Sequence, residues 1–135
     1  MEKIKNIFLI GIGGAGMSGI AEILLNSGYK VSGSDSTPSD VTSRLKKLGI
    51  DIFHSHNSKN LNEIDLIVYS SAISEDNPEI MYGKKIGIPV IKRAEMLANL
   101  MTMKKSIAIA GSHGKTTTTC ILAHIFTKCN LDPTY

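Results

Sequence analysis

Several residue types that mark particular protein classes are scarce in this sequence of 135 residues. It has no tryptophan, three Phe, four Tyr and only two cysteines, Cys120 and Cys129. Two cysteines nine positions apart form neither a paired zinc-ligand motif nor the dense framework of a secreted disulfide scaffold. We therefore expect two reduced thiols in a cytoplasmic protein.

The sequence also lacks a long hydrophobic run. Lysines followed by the apolar stretch 7–10 imitate the beginning of a signal peptide, but five glycines fall between positions 11 and 19. The stretch is therefore shorter and less apolar than the roughly 20 residues of a membrane span. We expect neither secretion nor a membrane anchor.

Charge of one sign is not concentrated anywhere. Fifteen Lys and Arg against 12 Asp and Glu give a net charge of +3, and these residues are scattered along the chain. A nucleic-acid-binding protein usually has a basic patch, so that class is disfavoured. The hydrophobic content of 42% is enough for the core of one ordinary domain, which argues against disorder.

Short β-branched runs alternate with helical patterns, as in successive βα units. The pattern predicts an α/β fold with a Rossmann-like, mostly parallel sheet and helices on both faces. Predicted strands cover 7–10, 29–33, 51–53, 66–69, 89–91 and 107–110. Five helices are predicted. Two cover 39–48 and 78–85, and a third begins near Lys115. The other two are recognised by an apolar face, formed in the first by Met17, Ile20, Ala21, Leu24 and Leu25 and in the second by Ala94, Leu97, Ala98 and Met101.

A domain boundary is predicted between Met101 and Lys105. Residues 1–104 would form the Rossmann-like domain, and residues 105–135 would hold one strand, one phosphate-type loop and one helix. A single βα unit cannot bury its own apolar surface, so we expect a truncated second domain and a chain that is a fragment. The oligomeric state stays open. A second copy could cover the apolar side of the last helix, formed by Ile121, Leu122, Ile125 and Phe126.

The segment Gly11–Gly16 matches G-x-G-x-x-G directly after a strand and at the start of a helix. Gly11 permits a tight turn, Gly13 lets the backbone approach a diphosphate, and Gly16 allows close helix packing. The helix N-terminus adds N–H groups and a positive dipole end. The pattern predicts a dinucleotide or diphosphate site, and the alternative is a tight turn without a ligand.

Polar residues follow the second and fourth strands. Asp35 comes 19 positions after Gly16, where dinucleotide-binding folds place an acid on the ribose, although Asp35 and Ser36 also suit an ordinary turn. Ser70 and Ser71 end the fourth strand at the edge where open α/β sheets bind ligands. The alternative to a ligand-binding role for these serines is strand-end capping.

A second glycine loop covers Gly111–Thr117 and resembles a Walker A loop. The full pattern needs glycine at 109, where the chain has Ile109, so only the Gly-Lys-Thr end matches. In such a loop backbone N–H groups hold phosphates, Lys115 neutralises the β and γ oxygens, and Thr116 offers a hydroxyl to magnesium. The alternative is a chance glycine turn.

Other polar residues favour ordinary explanations. His54 and His56 lack a third metal ligand nearby and are interpreted as a solvated strand end. His124 is interpreted as a helix packing position. Lys92 and Arg93 follow a strand and fit either a charged turn or a ligand clamp.

The combined motifs closely resemble the start of a Mur ligase. They are GIGGAGMSGIAE, SGSD, YSSAI, DNPE, the segment Ile88–Leu97 and AIAGSHGKTTT, and they cover nearly the whole chain. The resemblance implies a three-domain, bacterial, cytoplasmic enzyme of peptidoglycan synthesis without redox chemistry. It implies that ATP and Mg²⁺ are used to join L-alanine to UDP-N-acetylmuramate, with no nucleic acid or membrane as partner.

The resemblance also implies roles for particular residues. Lys115 and Thr116 would be catalytic: ATP phosphorylates the lactyl carboxylate, and the amine of L-alanine attacks the acyl phosphate while Lys115 stabilises charge and Thr116 ligates magnesium. The family loop is the shorter Gly-x-x-Gly-Lys-Thr, so Ile109 is no departure. UDP-sugar contacts would come from Gly11, Gly13, Gly14, Ala15, Gly16, Asp35, Ser70 and Ser71. ATP contacts would come from Gly111, Ser112, His113, Gly114, Lys115, Thr116 and Thr117.

Competing interpretations explain less of the sequence. An NAD-dependent oxidoreductase explains the first glycine loop but not the loop at Lys115. A small P-loop ATPase explains the second loop but not the first. A family member that attaches a tripeptide to the same UDP-sugar is the nearest alternative, although GIGGAGMS favours the alanine enzyme. We expect this chain alone to bind UDP compounds without ligating them.

Overall fold

The computed structural model describes residues 3–135, so the first two residues of the predicted domain at 1–104 lie outside it. Its centre is a five-stranded parallel sheet with the order β3-β2-β1-β4-β5. The predicted α/β class and parallel sheet are thereby confirmed. The strands are β1 Asn6–Ile10, β2 Lys30–Ser34, β3 Asp51–Phe53, β4 Leu66–Tyr69 and β5 Val90–Lys92.

Both faces of the sheet are covered, as a parallel sheet requires. Alternate residues of β1 point to opposite faces, so Ile7 and Leu9 enter one core while Phe8 and Ile10 enter the other. The first core is closed by α1 Ala15–Asn26, α2 Asp40–Lys47 and α4 Arg93–Met103. The second core is closed by α3 Pro78–Lys85 and by Leu61, which follows a 3-10 turn at Ser58–Asn60.

The helix boundaries follow from local capping. Ser39 begins α2 with a capping box, in which its hydroxyl accepts from Thr42 N–H. Asn77 caps α3 and Pro78 takes the first helical position, as predicted. Gly49 follows α2 at φ +97°, a conformation that glycine adopts without strain.

Two predicted features are wrong. Residues 107–110 form no strand, because a strand needs a partner for its backbone groups and none pairs with them in the described part of the chain. Helix α4 forms, but Met96 and Leu100 are its buried residues while Leu97 and Met101 are 40% and 38% exposed. Apolar residues occupy several faces of this helix, so spacing alone did not select the packed one.

The chain divides into two compact units after Leu100. The second unit contains the end of α4 and a 14-residue helix, α5 Lys115–Lys128, which confirms the predicted last helix. On α5, Ile121 and Ile125 are exposed, and both cysteines are exposed free thiols. Across residues 3–135, no helix combines the length and apolar character needed to cross a membrane.

Asp65 joins the beginning of β4 to the beginning of β1. Its Oδ2 accepts from the backbone N–H of Asn6 at 2.8 Å and of Lys5 at 2.9 Å. These two bonds hold the pKa of the Asp65 carboxyl below its ordinary value of 3.8, and the bond from Asn6 has the larger effect.

Asp65→Asn should therefore destabilise the protein at pH 7 and remove part of its acid sensitivity. Because the folded-state pKa is lowered, the stabilisation is fully present above pH 3.8 and is lost as pH falls through the folded-state value. Urea unfolding at pH 7 should show a lower midpoint for the variant, and the difference between the two proteins should be smaller at pH 3, below the ordinary pKa of 3.8. A gap that is equally large at both pH values would contradict this assignment.

Candidate functional site

The turn after β1 lies at the carboxyl edge of the sheet, where parallel βα folds bind ligands. Gly11 has φ +78°, which allows the chain to reverse directly after the strand. The N–H groups of Gly11 and Ile12 both donate to the Ser34 carbonyl, at 2.8 and 3.1 Å. The turn is thus fixed against the end of β2.

Helix α1 begins with an anion-binding geometry. Its N-cap is Gly14, and no side chain caps the first turn. Amide groups at a helix N-terminus that lack a side-chain cap, together with the positive end of the helix dipole, favour a phosphate group. The predicted residues Gly14, Ala15 and Gly16 lie at this position.

Asp35 braces the glycine turn. Its Oδ2 accepts from Gly13 N–H at 2.8 Å and its Oδ1 from Thr37 N–H at 3.0 Å. A Cβ on Gly13 would lie 2.7 Å from Asp35 Oδ2, so a larger residue there would displace the carboxylate from this bond. The Gly13 amide is therefore engaged by Asp35, while each carboxylate oxygen keeps a lone pair for a further donor such as a ribose hydroxyl.

Arg93 lies against the start of α1. A Cβ on Gly16 would be 2.6 Å from Arg93 Nη1, so the guanidinium packs directly on this glycine. Within the described residues Arg93 has no carboxylate partner. The sequence allowed two interpretations of Arg93, a charged turn or a ligand clamp. The structure places its charge beside the amides of α1.

The two serines after β4 differ in their surroundings. The Ser70 hydroxyl accepts from Ala72 N–H at 3.3 Å, which is strand-end capping, and Ser70 also packs near Gly11. Ser71 is exposed and forms no hydrogen bond with the described residues. Both serines lie at the same edge as the glycine turn.

A buried polar cluster lies beneath the end of β2. Glu79 on α3 is completely buried, and its Oε2 lies 2.7 Å from Ser34 Oγ and 3.0 Å from His56 Nδ1. Sequence reasoning missed Glu79, and His56, interpreted as part of a solvated strand end, is partly buried with its Nδ1 in this cluster. An acid in the first turn of a helix is usually exposed and stabilised by the dipole, so no local signal marked this one.

The remaining histidines are exposed. His54 Nδ1 lies 3.2 Å from the Asp35 carbonyl, and its Nε2 lies 3.1 Å from Lys46 Nζ. His124 lies on α5, where the packing position predicted for it is not found. Its neighbours Ile121 and Ile125 are exposed as well, so that side of the helix has no packing partner within the described part of its unit.

The second glycine loop offers groups that suit phosphate and a divalent cation. Gly114 is the N-cap of α5 at φ +74°, without a side-chain cap. Lys115 and Thr116 are the first two residues of that helix and both are exposed. First-turn amides, an ammonium and a hydroxyl are the donor set that Mg-ATP requires, so these residues fit the group.

Comparison with known proteins agrees with this architecture. The family model described as "Mur ligase family, catalytic domain" matches residues 6–105. The chain belongs to the Mur ligase family. This Mur ligase chain is 58% identical over 132 residues to the UDP-N-acetylmuramate–L-alanine ligase of Pelobacter propionicus, covering 98% of this chain. It spans 29% of that relative's length.

Solved structures give the same family. The UDP-N-acetylmuramate–alanine ligase of Thermotoga maritima matches with a TM-score of 0.87 and 35% identity, over 95% of this chain and 30% of that one. A murein peptide ligase from Psychrobacter arcticus matches with a TM-score of 0.86 and 29% identity, over 93% of this chain and 27% of that one. The oxidoreductase interpretation of the first glycine loop is not favoured.

Proposed function

We propose that this chain is the UDP-sugar-binding part of a ligase that uses ATP to join L-alanine to UDP-N-acetylmuramate. The observation that carries the proposal is the Arg93 guanidinium against Gly16, which has no carboxylate partner among residues 3–135 and lies at the start of α1, where no side chain caps the helix. A cation and free amide groups at one point are complementary to a diphosphate. The family membership and the ligase relatives support the same substrate.

In this proposal residues 1–104 bind the UDP-sugar. The diphosphate lies on the first turn of α1, between Gly14 and Gly16, with Arg93 neutralising its charge. Asp35 accepts from the ribose, because its carboxylate lies at the end of β2 and already braces the turn. The hydroxyls of Ser70 and Ser71 contribute from the neighbouring strand end.

Residues 105–135 begin the ATP-binding part in the same proposal. The loop Gly111–Thr117 would hold the ATP phosphates, Lys115 would stabilise charge on the transferring group, and Thr116 would ligate Mg²⁺. The metal, when bound, supplies charge neutralisation for phosphoryl transfer. The protein would act in the bacterial cytoplasm, with the exposed side of α5 as the contact in a homodimer.

Thermal unfolding of the 135-residue chain with separate ligands tests the proposal. A ligand at 100 times its dissociation constant stabilises the folded state by about 2.7 kcal/mol, so UDP-N-acetylmuramate and UDP should raise the midpoint clearly. NAD should not raise the midpoint, since its bases differ from uracil. Mg-ATP should have a smaller effect than the UDP compounds.

The ligand series contains its own control. NAD shares the diphosphate with UDP but differs in its bases, so it reports any general affinity for diphosphates. A higher unfolding midpoint with NAD alone would overturn the proposal and would indicate that the first glycine turn belongs to an oxidoreductase. No shift with either UDP compound would also contradict it.

A further inference from the structure

Glu79 is a buried charge with an unusually complete set of donors. Its side chain is fully buried on α3. Besides Ser34 and His56 on Oε2, its Oε1 accepts from Asn60 Nδ2 at 2.8 Å and from Asn57 N–H at 3.3 Å. A buried carboxylate is costly unless it is hydrogen-bonded, and here both oxygens are satisfied.

This set of bonds determines which nitrogen of His56 carries the proton. The Ser34 hydroxyl has one proton and donates it to Glu79 Oε2. An ionised carboxylate only accepts, so His56 Nδ1, 3.0 Å from both Ser34 Oγ and Glu79 Oε2, must be the donor. In its neutral form the imidazole then has its lone pair on Nε2.

That Nε2 is available to a ligand. It has no hydrogen-bond partner among residues 3–135, and no buried side-chain nitrogen of this part of the chain is left unpaired, so Nε2 reaches solvent. The His56 side chain as a whole is 21% exposed. Glu79 thus fixes the imidazole ring of His56 through Nδ1, while Nε2 can accept a hydrogen bond from a ligand.

The ring lies at the nucleoside end of the proposed site. Ser34, its neighbour, directly precedes Asp35, and the Asp35 N–H donates to the Phe53 carbonyl at 2.9 Å. His56 therefore belongs to the segment that follows β3 and borders the acid proposed for the ribose.

On the basis of the proposed function, we propose that Glu79 is a positioning residue for base recognition. It holds His56 so that Nε2 accepts the N3–H of uracil. Cytosine has an unprotonated N3, which would face the same lone pair and be rejected. The cluster Ser34–His56–Glu79 thereby selects uridine over cytidine nucleotides.

Glu79→Gln tests this assignment because it replaces one hydrogen-bond acceptor, Oε2, with a donor, the amide NH₂ group. The amide oxygen remains toward Asn57 N–H and the Asn60 amide, which are donors, so the NH₂ group replaces Oε2 and donates to His56 Nδ1. The proton of the imidazole then moves to Nε2. Calorimetric titration of the whole chain should show the preference for UDP over CDP fall by about tenfold, the equivalent of one hydrogen bond.

Nitrogen-15 NMR of the imidazole gives a readout that a merely structural role would not move. The wild-type His56 spectrum should show Nδ1–H, and Glu79→Gln should show Nε2–H. Ser34→Ala is the matched control, since it opens the same cluster but keeps Glu79 opposite Nδ1. Its tautomer and its UDP preference should stay as in the wild type.

The outcomes separate the two proposals. Absence of UDP binding in the wild type overturns the proposed function. UDP binding without preference over CDP, or a wild-type Nε2–H tautomer, overturns only the assignment of Glu79. If Glu79→Gln does not fold, His56→Ala decides, because it removes the acceptor and leaves Glu79 its other donors. An unchanged UDP preference in that variant would refute the assignment.

Discussion

Gly33→Ala should lower the free energy of unfolding by about 3 kcal/mol, the upper end for overpacking in a core. A Cβ at Gly33 would lie 2.4 Å from the Leu9 carbonyl oxygen and 2.8 Å from Ile12 Cδ1. Gly33 and Leu9 are paired across β1 and β2, so the oxygen cannot retreat without disturbing the centre of the sheet. Urea unfolding measures the loss directly.

Gly19→Ala provides the matched control. Gly19 lies in α1, is exposed, and a Cβ there would meet nothing within 4 Å. Alanine in a helix interior is more favourable than glycine, so this variant should gain roughly 0.5 to 1 kcal/mol. Equal stabilities of the two variants would show that β1 and β2 are not packed as closely as described.

Arg93→Ala should weaken UDP binding by about 30-fold, which corresponds to the loss of a hydrogen bond to a charged group. The guanidinium packs on Gly16 at the start of α1 and has no carboxylate partner in the described part of the chain, so its charge is free for a diphosphate. Calorimetric titration with UDP, at constant ionic strength, measures the change.

Lys92→Ala is the control for Arg93→Ala. Lys92 is the adjacent residue, carries the same charge and is exposed at the end of β5, so its loss changes net charge without altering the proposed site. UDP affinity should then change by less than about twofold, since an isolated surface charge acts weakly. Comparable losses in both variants would mean that Arg93 acts only through general charge.

The fold was largely predictable because its strands are defined by local patterns. The predicted bounds of β3 and β4 coincide with those observed, and β4 is apolar throughout because both of its faces are covered. The strand expected at 107–110 has the same kind of sequence, but pairing is a long-range property that composition does not report. The buried face of α4 was predicted wrongly for a related reason. Which face is buried depends on the core residues that pack against the helix, and these are distant in sequence.

The candidate site was predictable only where its residues are contiguous. The two glycine loops are local motifs, and both precede helices as expected. Arg93 and Gly16 are distant in sequence, as are Glu79, His56 and Ser34, and their contacts exist because parallel strands end at one edge. A motif search reads neighbours along the chain and could not have found these contacts.

Ser34 contacts two groups of residues that, in the proposed function, would face different parts of a nucleotide. Its carbonyl accepts from Gly11 and Ile12 in the glycine turn, while its hydroxyl donates to Glu79. One residue at the buried end of β2 therefore contacts both the glycine turn and the cluster that holds His56. Because Ser34 belongs to the sheet, the distance between these two parts is fixed, and in the proposed function it would favour nucleotides long enough to reach from one to the other.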